Sequence, residues 1–184
     1  MGRVVNSQYW DKRYRSGGDS GEGSKGELAR WKADHINGFI WVNAIKNVIE
    51  FGCGDGLQLS LYDIDDYIGF DVSQAAVELC KERTMHDCRN LAEYNGETAE
   101  LALSIDVIFH LVDDVEYRKH LDMIFGSATR YVMIYSSNIT DIAKPKHIKH
   151  RRFTDDVPEG WELLEVLNPP GGTFCQMFVY GAVK

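Results

Sequence analysis

Apolar positions along the chain fall into short dense runs separated by amphipathic stretches. ELARWKADHINGFIWVNAI places Leu28, Trp31, His35, Ile36, Phe39 and Ile40 at helical spacing and predicts a helix with a break near Gly38. NVIEF (47–51) reads as a short buried strand, followed by a helix from Asp55 or Gly56 to Tyr62. YIGFD (67–71) is a second strand. SQAAVELCKERT (73–84) predicts a helix capped by Ser73, with Ala76, Val77 and Cys80 on one face. A weak third strand is expected near 85–88. LALSI (101–105) is a strand, VEYRKHLDMIFG (115–126) a helix stopped by Gly126, and RYVMIYS (130–136) a strand. WELLEVL (161–167) and TFCQMFVYGAV (173–183) are close enough to pair antiparallel across NPPGG. Strands alternating with helices imply an α/β fold: a doubly wound, mostly parallel, seven-stranded sheet that ends in an antiparallel hairpin.

Composition narrows this picture. The 184 residues are 44% hydrophobic, which suits one domain with a full core. Residues 1–45 form an N-terminal helical and lid region, and 46–184 form the core. Five glycines and three serines in SGGDSGEGSKG (16–26) predict a flexible loop, so residues 7–30 suit a mobile lid. The formal net charge of -8 disfavours nucleic acid and anionic membranes as partners. Cys53, Cys80, Cys88 and Cys175 lack CxxC pairing and read as reduced thiols of a cytoplasmic protein. With no metal-ligand rhythm, no metal site is expected. The chain shows no secretory leader and no apolar run long enough to span a bilayer.

The chemistry concentrates where the first strand ends. VIEFGCGDGLQLS sets Gly52, Gly54 and Gly56 at alternate positions behind Glu50. Glycines at such a turn allow positive φ and let a ligand approach closely. In doubly wound sheets, ligands bind at the carboxyl ends of the strands. A dinucleotide loop would read G-x-G-x-x-G; here the third glycine comes one place early. Glu50 would repel a pyrophosphate and suits a cationic ligand instead.

The pattern E-x-G-x-G-x-G at Glu50, Gly52, Gly54 and Gly56, with Asp71 ending the second strand, resembles the class I S-adenosylmethionine-dependent methyltransferases. The segment LALSIDVIFHLVDD is similar to that family's fourth motif, and the terminal hairpin also fits its fold. The resemblance covers residues 47–184. It implies S-adenosyl-L-methionine as cofactor and S-adenosyl-L-homocysteine as product. The methionine part would lie over Gly52, Cys53 and Gly54 with Glu50 beneath. Asp71 would accept the ribose hydroxyls, Val72 would flank the adenine and Asp87 would meet its amino group. Ser104, in the fourth motif, is counted with the cofactor site.

The remaining candidates keep two readings. Asp106 either binds substrate or accepts a proton, or caps locally. His110 is the candidate general base, or packs against the lid. KPKHIKHRR (144–152) holds five formal positive charges and no acid. It is either a solvated loop or a grip for phosphate or carboxylate, with Arg151 and Arg152 as bidentate donors and His147 and His150 beside them. Tyr9 and Trp10 belong to an aromatic-basic cluster assigned to the acceptor side. The function expected is methyl transfer, by O-methylation, to a small acidic or phosphate-bearing acceptor such as a sugar- or nucleotide-type metabolite. The alternatives are a nucleic-acid methyltransferase, a non-catalytic cofactor-binding module and a nicotinamide-dependent reductase. Acceptor identity and oligomeric state stay open.

Overall fold

A computed structural model describes residues 6–140 and 147–183 of the chain. The central strand is β1 (Asn47–Phe51), whose last four residues are all buried. A strand buried on both faces needs helices on both sides, and it has them. Val48 packs with Ile36 and Ile40 of α2 (Gly26–Val42), on the face also covered by α3 (Gln74–Thr84). Ile49 and Phe51 point the other way, toward Leu121 and Ile124 of α4 (Asp114–Ser127).

The other strands are β2 (Asp66–Asp71), β3 (Asp87–Asn90), β4 (Ala99–Ile105), β5 (Ala128–Ser137), β6 (Trp161–Leu167) and β7 (Cys175–Ala182). Their order is β3-β2-β1-β4-β5-β7-β6, with β7 antiparallel to both neighbours and every other pairing parallel. The sheet order reverses between β1 and β4, which places the switch point beside the glycine turn.

Several local expectations are corrected. No helix forms over 55–62; the segment holds only a 3-10 turn at Leu59–Leu61. Gly54 and Gly56 have positive φ (57° and 76°), which delays any helical start, and the residues left are too few to propagate one. Gly38 does not break α2, which runs through it. Gly126 is helical rather than a stop; α4 continues to Ser127, whose hydroxyl donates to the Met123 carbonyl, and passes straight into β5. Met85 ends α3 in the left-handed region (φ 62°), so β3 begins two residues later than expected.

The N-terminal cluster is itself a helix, α1 (Asn6–Arg15), packed against α3. Its Asp11 carboxylate accepts from the Ser73 hydroxyl (3.1 Å) and the Ala75 amide (3.2 Å), joining the N-terminus of α3. No helix among the described residues is long and apolar enough to cross a membrane.

Candidate active site

The carboxyl ends of β1, β2 and β4 open into a cavity of about 380 Å³. Its floor is the turn after β1. Gly52, Gly54 and Gly56 all have positive φ, and each leaves room that a side chain would fill. A Cβ on Gly52 would collide with Val107, and one on Gly54 would meet the Ser20 hydroxyl at 2.5 Å. At Gly56 the neighbour is Cys80, so this glycine seats the turn on α3 and does not line the cavity.

Two acids bracket the turn. Glu50 is buried and accepts a hydrogen bond from the Tyr67 hydroxyl at 2.6 Å. Burial pushes its pKa up to about 7, against the opposing effect of that hydrogen bond. Asp71 is buried as well; it accepts from the Gly54 amide at 3.0 Å and the Ser73 amide at 2.9 Å. Burial raises it to about 6, and the two amides hold it lower than it would otherwise be. Cys53 and Val72 line the cavity between these acids.

The roof comes from the N-terminal segment. Ser7, Trp10 and Tyr14 of α1 and Ser20 and Ser24 of the following loop all line the cavity. The Tyr14 hydroxyl lies 3.0 Å from the Ser20 oxygen, and Ser20 donates to the Asp55 carboxylate at 2.5 Å. The loop thereby lies directly over Gly54.

His110 lines the cavity beside Trp10, whose ring it meets edge-on at 5.0 Å. Burial lowers its pKa to about 4, so the ring is neutral near pH 7. Its Nδ1 faces the His147 carbonyl at 3.4 Å. A carbonyl only accepts, so the proton sits on Nδ1 and Nε2 keeps its lone pair. Tyr9 stacks on His147, and His147 on His110.

The geometry sets six expected site residues in other surroundings than expected. Asp106 lines the cavity, yet its carboxylate is ion-paired with the fully buried Lys32, so it is held by a structural partner. Asp87 starts β3 at the end away from the cavity and is bound to Arg89; the carboxyl end of β3 instead brings Leu91 to the cavity. Ser104 is fully buried outside the cavity, 2.9 Å from His120 Nε2, and acts by placing that ring. Arg151 is spent on the Asp114 carboxylate (2.8 Å), the Leu111 and Val112 carbonyls and the face of the Tyr117 ring. His150 bonds the Ser137 hydroxyl at 2.7 Å. Arg152 is exposed and does not line the cavity, and Lys149 pairs with Asp114. Lys144 and Lys146 lie outside the described residues.

Other residues at the site escaped the sequence reading. Gln58 lines the cavity with its amide nitrogen donating to the Ala29 carbonyl at 3.0 Å, while its Oε1 is buried without a partner. Lys32 and His120 carried a usable signal, since each is a polar residue on the apolar stripe of its helix. Burial lowers His120 to about 3, so it too is neutral.

Known structures share this fold. The N-methyltransferase NodS from Bradyrhizobium japonicum WM9, in complex with S-adenosyl-L-homocysteine, aligns over 97% of this chain and 99% of its own, at 13% identity and TM-score 0.73. The fold is that of the class I methyltransferases. Two further structures with this methyltransferase fold have a TM-score of 0.68. Magnesium protoporphyrin IX methyltransferase (ChlM) from Synechocystis PCC 6803, with bound SAM, aligns over 99% of both chains at 13% identity. The methyltransferase domain of bacterial CtHen1-C aligns over 84% of this chain and 98% of its own, at 18% identity. At the level of sequence, no family model and no curated protein matches the chain.

Proposed function

We propose that the chain is an S-adenosylmethionine-dependent methyltransferase acting on the hydroxyl of a small acceptor. The observation that carries this reading is the set of acceptor atoms around the glycine turn: Asp71, Glu50 and the unpartnered Gln58 Oε1. An aminoacyl sulfonium nucleoside offers an ammonium, a sulfonium and two ribose hydroxyls, which are donors and positive charge to match. The residues present fit that group. Gln58 Oε1 and Glu50 would receive the ammonium, Asp71 the ribose hydroxyls, and Val72 and Leu91 the apolar base. Bound there, the cofactor supplies an electrophilic methyl group.

The chain's own part is alignment and proton handling. His110 Nε2 accepts the acceptor hydroxyl's proton as the oxygen attacks, and the His147 carbonyl holds the ring by Nδ1. Trp10 and Tyr14 cover the cavity and exclude water. Because Arg151 and Lys149 are tied to Asp114, the acceptor class shifts from a phosphate-bearing compound toward a flat one that meets the rings of Trp10, His110 and His147.

Calorimetry with S-adenosylhomocysteine tests the reading. The expected result is one molecule bound per chain, no binding of NADH, and an Asp71→Ala variant weakened by about 1–3 kcal/mol, the range for a lost charged hydrogen bond. Absence of heat in the parent, or an unchanged variant, overturns it.

A further inference from the structure

Behind the glycine turn, three thiols from three different elements converge. Cys53 belongs to the turn itself, Cys80 to α3 and Cys88 to β3, and all three are buried. Their sulfur atoms all lie within 4.8 Å of one another. Two glycines keep the space around them clear. A Cβ on Gly69 would stand 3.0 Å from the Cys53 sulfur, and one on Gly56 would stand 3.1 Å from that of Cys80. We propose that Cys53, Cys80 and Cys88 form a three-thiolate site for one monovalent copper ion.

The donor set points to this ion. Three sulfurs and no imidazole or carboxylate select a soft metal. Zinc in a structural site asks for four ligands, and the described residues supply three, an arrangement suited to trigonal Cu(I). With a metal–sulfur bond of about 2.3 Å, a trigonal centre separates its sulfurs by about 4 Å. The observed limit of 4.8 Å is thus closed by small side-chain rotations. Binding forms three copper–sulfur bonds and breaks three S–H bonds, and the protons pass to solvent. The metal arrives and stays as Cu(I), so no electron is transferred. Cys53 also lines the main cavity, which gives the ion a route inward. A filled site would tie the turn between Gly52 and Gly54 to α3 and β3 at once, and so fix the floor on which the proposed cofactor rests.

The test is an anaerobic competition for Cu(I) between the full-length protein and the chromophoric chelator bicinchoninate. The expected result is one equivalent held by the parent, with three sulfur neighbours in its X-ray absorption spectrum. Cys80→Ser and Cys88→Ser should each weaken retention by about 100-fold or more. Cys175→Ser, which alters the one thiol outside the cluster, should bind as the parent does. Circular dichroism of each variant separates lost ligation from lost folding, and if one serine variant fails to fold the other still decides. Retention by the parent no better than by the folded serine variants overturns the site, as does equal loss in Cys175→Ser or a preference for zinc. The readout is metal retained, so its failure leaves the methyltransferase reading untouched, and calorimetry with S-adenosylhomocysteine judges that reading separately.

Discussion

Lys32 carries its charge into the interior against one carboxylate. It is fully buried in α2, its ammonium held by Asp106 and placed 5.0 Å over the Tyr135 ring. Truncating one member of a buried pair leaves the other charge uncompensated, at about 3–5 kcal/mol. Lys32→Met is therefore expected to lower the melting temperature by roughly 6–20 °C, measured by calorimetry. The acids of the floor predict a pH dependence. Burial raises Asp71 to about 6 and Glu50 to about 7, so the native chain keeps protons that the unfolded chain has released. Their contribution to stability is complete below about pH 4 and lost as pH rises through the two folded values. Glu50→Gln keeps an acceptor for Tyr67 and removes the titration. The parent should lose stability relative to this variant between about pH 5 and 8, by no more than about 3 kcal/mol. Parallel melting curves across that range would refute it.

Among the elements, the connection after β5 shows how charge in a sequence can mislead. The run ending in Arg152 looks like a ligand grip because its cations outnumber its acids within the run. The compensating acid, Asp114, stands more than thirty residues earlier at the start of α4, where no local pattern connects the two. Arg151→Ala should cost about 2 kcal/mol, or ~4–8 °C of melting temperature, and leave the affinity for S-adenosylhomocysteine unchanged. A loss of affinity without a loss of stability would return Arg151 to the ligand. Helix α1 was hidden for a related reason. NSQYWDKRYR has no apolar repeat of its own, and its position is set by Asp11, which reaches α3, and by Tyr14, which meets Ser20 of the loop over the glycine turn. The strands were legible because β1, β2, β4, β5 and β7 are buried on both faces and need no distant information to be apolar. Asp71 and the glycines were legible because their spacing along the chain is local. Lys32 and His120 show locally only as polar residues on apolar stripes, and their roles, like that of Gln58, come from groups on other elements.

Taken whole, the chain gathers the polar groups of its cavity where two parallel crossovers diverge and encloses them with its N-terminal helix. Such a molecule should gain stability from a ligand that fits. S-adenosylhomocysteine at 100 times its dissociation constant should add about 2.7 kcal/mol, seen as a rise of ~5–11 °C in melting temperature. NADH at the same concentration should add nothing. The hydrogen bonds from Ser73 and Ala75 to Asp11 set how this enclosure opens. The helix that covers the cavity is latched to the start of the same helix that follows Asp71. In the proposed cofactor site, a departing molecule would loosen α1 and the start of the helix after Asp71 together, so Asp11→Ala is expected to speed its release.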